Sequence, residues 1–135
     1  MRKYLLDTHI LLWFVNDDKL LPKKAREIIS DGENEIYYSI LSIWEIEVKH
    51  QKHPDKISFD GEQLLNFCKE YGFVQVPLKN PHIFKIKNLR RRENTLPHND
   101  PFDKAILSQA IVEDMIFITH DDRIAEYDSP NIYKV

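Results

Sequence analysis

Five short runs rich in apolar, β-branched and aromatic residues, Lys3–Leu6, Glu35–Ser39, Phe73–Val76, Met115–Thr119 and Ile132–Val135, are separated by stretches that read as helices. Strands that alternate with helices argue for a parallel sheet covered on both faces. In such a sheet, ligands collect beyond the carboxyl ends of the strands. That alternation sets where functional residues can be sought.

The helical stretches carry their own punctuation. His9–Val15 is mostly apolar and stops at Asn16-Asp17-Asp18, and Pro22 suits the first turn of a second helix that Asp31-Gly32 ends near Ser30. Ile40–His50 has apolar residues on nearly every side and is expected to be a buried helix, followed by a loop at His53-Pro54-Asp55. Asp60 caps a fourth helix, with Gln63 at the reciprocal position, and Tyr71-Gly72 closes it. Asn80-Pro81 opens a fifth helix, expected to end near Arg90-Arg91-Arg92 before the turn-rich Glu93–Pro97. Asp100-Pro101 opens a sixth, to about Glu113, and Asp122–Tyr127 suits one more helical turn.

With 135 residues and no linker or repeat, residues 1–135 are expected to form one domain with its own core. No apolar run approaches the roughly 18 residues of a membrane span, and no secretory signal is evident at the N-terminus. Cys68 is the one cysteine, so an intrachain disulfide is excluded and a cytoplasmic setting is the expectation. The net charge of −3 gives no global pull on nucleic acid, so such a substrate would need a metal or a local basic patch. Three glycines, at 32, 61 and 72, cannot make a phosphate-cradling loop.

The chemistry lies in the acids. Asp7 closes the first strand and Asp121 stands just past the fourth, which aims both at the same crevice. Glu45 lies between Leu41 and Lys49 on the helical wheel, at the margin of an arc formed by Ile40, Trp44 and Val48. Asp103 shares a face with Leu107 and Ala110, where an acid is costly without a partner. Each has an ordinary alternative: Asp7 as a helix N-cap, Glu45 as a surface glutamate, Asp103 as a first-turn acid behind a capping Asp100, Asp121 and Asp122 as turn residues. Four carboxylates at one point repel one another unless a cation sits among them. Together they read as a hard-metal site suited to hydrolysis of a phosphate ester.

With these residues in place, the chain resembles the PIN-domain ribonucleases, in particular the VapC-type toxins of toxin–antitoxin pairs. The resemblance rests on Leu5-Leu-Asp7-Thr-His-Ile-Leu-Leu-Trp13, Ser39-Ile-Leu-Ser-Ile-Trp-Glu45-Ile46, His98-Asn-Asp100-Pro-Phe-Asp103 through Ala110, and Ile118-Thr-His-Asp121. It implies a three-layer α/β/α sandwich around a parallel sheet of four to five strands, Mg²⁺ or Mn²⁺ at the acids, and cleavage of RNA. It further implies a homodimer and a cognate antitoxin. Carried over, the family's catalytic and metal-binding acids fall on Asp7, Glu45, Asp103 and Asp121, with Asp122 an alternative to Asp121. Asp100, Thr8 and Thr119 are candidates for an outer shell around them.

Arg90-Arg91-Arg92 is the dense basic cluster and reads either as an RNA-backbone contact or as a solvated helix end. His50 and His53 have zinc-pair spacing, but nothing completes a tetrahedral set. A haloacid-dehalogenase-like phosphatase would need an acid where His9 stands, and a receiver domain a phosphoacceptor where Pro77 stands. The remaining alternatives keep the PIN scaffold: a non-catalytic module that docks RNA or protein, or an RNA-processing nuclease without an antitoxin.

Overall fold

In the computed structural model, which describes residues 2–135, the apolar run that opens the chain becomes the middle of the sheet. This strand, β1 (Lys3–Leu6), pairs on one side with β2 (Glu35–Ser39) and on the other with β4 (Ile116–Thr119). β3 (Val74–Val76) extends the β2 side and β5 (Ile132–Lys134) the β4 side, giving the order β3-β2-β1-β4-β5 with every pairing parallel. Crossovers run one way from β1 to β3 and the other way from β4 to β5. The switch therefore falls between the carboxyl ends of β1 and β4, where a parallel sheet opens a crevice.

Alternation along β1 sends neighbouring side chains to opposite faces. Tyr4 and Leu6 point into one core with Ile10 and Leu11 of α1 (Thr8–Val15), Ala25, Ile28 and Ile29 of α2 (Lys23–Ser30), and Leu64 and Cys68 of α4 (Gly61–Glu70). Leu5 points into the other, with Phe117 and with Ala105, Ile106, Leu107 and Ala110 of α6 (Pro101–Val112). The helix α3 (Ile40–Lys52) straddles the two, with Ile46 in the first core and Leu41 in the second. The result is the expected three-layer arrangement with all five strands present.

Local chemistry explains the boundaries. Asp60 and Gln63 exchange the two hydrogen bonds of a capping box at the start of α4, each 2.9 Å. Gly72 closes that helix at φ +74, a left-handed conformation that suits glycine. Asp100 accepts from the amides of Phe102 and Asp103 at 2.9 and 3.1 Å to start α6. The short α7 (Asp122–Ala125) follows Asp121 in the same way.

The fifth helix departs from expectation. α5 (Asn80–Ile86) stops before the arginines rather than among them. The backbone of residues 90–92 pairs instead with the segment after α7: the amide of Arg92 donates to Glu126 at 2.9 Å, and that of Asp128 to Arg90 at 2.7 Å. Local propensity cannot register a bridge to residues more than thirty positions away. The solvated helix end expected at the arginines is thus absent.

α3 and α4 meet at Gly61. A Cβ there would lie 3.0 Å from the carbonyl oxygen of Ile43 and 2.9 Å from the Glu47 carboxylate that accepts the Gly61 amide. Gly61→Ala should therefore lower the unfolding free energy by roughly 1–2 kcal/mol, the crowding outweighing the gain in helix propensity. Urea denaturation checks this, and an unchanged midpoint would show that the two helices separate without cost.

Candidate metal centre

Asp7 is only 1% exposed, although it is an acid at the end of the central strand. Its amide continues the ladder by donating to Ile118 at 3.0 Å, which fixes the backbone at the switch point. Its carboxylate accepts two hydrogen bonds, from the Thr8 amide at 2.8 Å and from the Thr119 hydroxyl at 2.7 Å, and His9 Nδ1 lies 3.2 Å from it. The first makes Asp7 the N-cap of α1, so the capping role and the crevice position coincide. His9 Nε2 accepts from the His120 amide at 3.2 Å, which leaves the ring proton on Nδ1, facing Asp7. Burial holds the His9 imidazole down at about 4, so the ring beside Asp7 is neutral.

Thr119, at the end of β4, links two of the acids. Its hydroxyl donates to Asp7 and accepts from the Asp121 amide at 3.0 Å. Asp121 caps α7 through the Arg123 amide at 2.8 Å and stays half-buried. Asp122 is fully exposed and ion-paired with Lys134. Of the two adjacent acids, Asp121 is the one turned toward Asp7.

Glu45 is 6% exposed. Lys49, one helical turn on, binds its Oε2 at 2.8 Å, while Oε1 is buried with no hydrogen-bond partner among the described residues. A buried carboxylate oxygen left bare costs free energy that a cation would return. Burial works against the charge on Lys49, but the hydrogen bond and charge of Glu45 outweigh it and hold the ammonium above its usual range. Ser42, a turn before Glu45, bonds the Thr8 hydroxyl at 2.8 Å and ties α3 to α1.

Asp103 completes the set from the first turn of α6. Its Oδ2 lies 3.2 Å from Nε2 of the buried His98. Burial, followed by the charges of Asp7, Asp100, Glu45 and Asp121, pushes Asp103 up to about 8. Burial likewise raises Asp7 to about 7, with Glu45 and Asp121 adding to it and the hydrogen bonds from Thr119 and Thr8 opposing it. Glu45 and Asp121 bear on both Asp7 and Asp103, so the four acids lie in one region of the crevice. They are gathered rather than closed: among the described residues no three His, Cys, Asp or Glu side chains stand ready-made around one point. Two of the oxygens are held by Lys49 and His98 instead. An all-oxygen donor set with one bare buried oxygen fits a hard divalent cation such as Mg²⁺ or Mn²⁺.

The PIN domain model matches residues 4–130 of the sequence. This chain belongs to the PIN-domain family. The PIN fold is repeated in solved structures of low sequence identity. One is VapBC2 from Rickettsia felis bound to a DNA fragment from their promoter, at 18% identity, TM-score 0.68 and 98% coverage of both chains. A toxin–antitoxin complex from Klebsiella pneumoniae matches at 20% identity and TM-score 0.61, over 98% of this chain and 99% of that one. A domain of a functionally unknown protein from Methanocaldococcus jannaschii matches at 15% and 0.52, over 92% and 81%. No curated protein matches the sequence significantly.

Within this PIN domain, sequence reasoning did not pair Glu45 with Lys49 or Asp103 with His98. Lys49 stands four residues after Glu45, a spacing that signals an ion pair on a helix. His98 gave no comparable signal, because it lies in an irregular segment. Asp100 is an exposed cap, and Thr8 and Thr119 both bond within the cluster. Arg91 is committed elsewhere: its guanidinium binds Glu126 at 2.7 Å and the Arg123 carbonyl at 2.6 Å, and lies 4.6 Å from the Tyr127 ring centre. Arg90 and Arg92 are exposed.

The raised carboxyls fix a sign. Asp7 and Asp103 bind protons more tightly folded than unfolded, so stability is lost as pH rises from about 4 through about 7 to 8. In chelator, the melting temperature should fall between pH 5 and pH 8.5. Millimolar Mn²⁺ should flatten that fall, because the cation favours the ionised acids, and Asp103→Asn should weaken both effects. A melting temperature that ignores both pH and Mn²⁺ would contradict the site.

Proposed function

We propose that this PIN domain is a Mg²⁺- or Mn²⁺-dependent ribonuclease, the toxin of a toxin–antitoxin pair acting in the cytoplasm. The observation that carries the reading is the bare, buried Oε1 of Glu45 beside three further acids at the switch point of a parallel sheet. Asp7, Glu45, Asp103 and Asp121 would hold the cation. When bound, such a cation supplies an acidified water and neutralises charge on a phosphodiester.

The chain's own residues do the rest. Thr119 fixes Asp7 and Asp121 in one register, since a single hydroxyl bonds both. Thr8 and Ser42 hold α1 and α3 together, which keeps Asp7 and Glu45 on facing elements. Lys49, half-exposed beside Glu45, sets a positive charge at the rim where an anionic substrate enters. Hydrolysis of this kind needs no 2′-hydroxyl, so preference for RNA rests on binding. Arg90 and Arg92 are the exposed members of the basic cluster, turned where a phosphate backbone can meet them. Arg90 Nη1 also donates to the Lys87 and Leu89 carbonyls at 3.1 and 3.2 Å, and Arg91 is a strut of the fold.

Two partners follow from the same reading. The solved toxin–antitoxin complexes of like fold support an antitoxin as a partner. A second copy of the chain is supported by an apolar groove of about 360 Å³ between α3, α5 and α6, lined by Leu41, Trp44, Leu78, Ile83, Ile86 and Phe102, with Trp44 59% exposed.

Asp7→Asn is nearly isosteric and should abolish cleavage of labelled RNA in Mn²⁺ while the far-ultraviolet circular dichroism stays that of wild type. Metal-dependent cleavage that survives this change would remove Asp7 from the catalytic site, whereas a wild type that cuts no RNA in Mn²⁺ would refute the nuclease reading and favour a docking module. Arg90→Ala with Arg92→Ala should weaken RNA binding and lower the slope of log affinity against log salt by roughly 0.7 per lost contact. Turnover at saturating RNA should persist. An unaltered salt slope would remove the arginines from the interface.

A further inference from the structure

His98 reaches Asp103 from a segment without helix or strand, yet it is buried and doubly held. Its Nε2 lies 3.2 Å from Asp103 Oδ2 and its Nδ1 2.8 Å from the Tyr127 hydroxyl. As a metal ligand Asp103 would be ionised and only accept, so Nε2–H would donate to it and Nδ1 of the neutral ring would accept from the Tyr127 O–H. Tyr127 is buried in turn, packed edge-on against His98 at 5.4 Å and lying under the Arg91 guanidinium at 4.6 Å. Arg91 is anchored to Glu126 and to the Arg123 carbonyl in the segment that carries α7. The basic cluster and the acidic crevice are thus joined by a continuous row of side chains.

We propose that His98, oriented by Tyr127, is a positioning residue that aims the Asp103 carboxylate at the divalent cation. The inference rests on the metal-dependent reading above and adds to it. No other side-chain or backbone donor among the described residues reaches the Asp103 carboxylate, so without His98 it is free to turn about its own χ angles. A fixed tautomer also matters. The Tyr127 hydroxyl has the His98 carbonyl as a second acceptor only at a long 3.5 Å, so it donates to Nδ1 at 2.8 Å and keeps the ring proton on the nitrogen that faces Asp103. Partners that orient a metal ligand in this way typically carry a roughly 10–100-fold effect on metal affinity or activity.

The test compares wild type with His98→Gln, His98→Asn and Tyr127→Phe. Mn²⁺ affinity is read by titration calorimetry, RNA cleavage as separate kcat and KM, and folding as the melting temperature in chelator. The amide nitrogen of Gln reaches as far as Nε2 of His, whereas that of Asn reaches only as far as Nδ1. His98→Asn should lose roughly 10–100-fold in Mn²⁺ affinity and in kcat with KM for RNA unchanged, and His98→Gln should stay close to wild type. Tyr127→Phe, which keeps the ring beneath Arg91, should lose part of the same affinity.

Equal behaviour of the Gln and Asn variants, or an unaltered Mn²⁺ affinity in Tyr127→Phe, overturns the proposal. If His98→Asn fails to fold in chelator, the near-isosteric Tyr127→Phe decides alone. A wild type that binds Mn²⁺ and cuts RNA, with indifferent variants, defeats only the positioning role. A wild type that does neither defeats the nuclease reading and this inference together.

Discussion

Burial of the Asp7 carboxylate at the end of the central strand is the constraint around which the crevice is built. An acid deep in a sheet is stable only if something satisfies it, and here Thr8, Thr119 and His9 all turn toward it. Those contacts come from two places in the chain: the first two residues of α1 and the end of β4. The hydrogen bond from Thr119 crosses from β4 to the end of β1 and also fixes where Asp121 begins α7. Holding one carboxylate therefore places a second.

The fold tolerates so much negative charge because helix starts are directed at it. Asp7, Asp100 and Asp121 are N-caps of α1, α6 and α7, and the partial positive charge of exposed amides at those termini offsets the acids nearby. The offset is incomplete. Asp7 and Asp103 still sit far above the ordinary range of a carboxyl, and Lys49 is drawn onto Glu45. What remains is an excess of negative charge with a bare oxygen inside it, the condition that a divalent cation relieves.

Most of this was legible in the sequence, for identifiable reasons. Strand runs and capping residues are local signals, so Lys3–Leu6, Asp60 with Gln63, and Asp100-Pro101 could be placed from neighbours alone. Asp7 and Asp121 followed from chain topology, since parallel strands bring their carboxyl ends together, whereas Glu45 and Asp103, on α3 and α6, came from helical spacing and the family resemblance. The choice between Asp121 and Asp122 needed coordinates, because both follow the same strand and only the ion pair to Lys134 separates them. The arginines misled because a basic run after a helix reads as its end. The side-chain partners of Arg91, Glu126 and Tyr127, are supplied by a segment distant in sequence. His98 was hidden for the same reason, its role being set by a tyrosine 29 residues later.

The central claim is that these four carboxylates share a divalent cation. A crystal of the chain soaked in Mn²⁺ and measured near the manganese absorption edge tests it most directly. The account predicts an anomalous peak among Asp7, Glu45, Asp103 and Asp121, with a Glu45 oxygen turned onto it. A map with no peak there, or with manganese bound only elsewhere while Glu45 stays on Lys49, would contradict it.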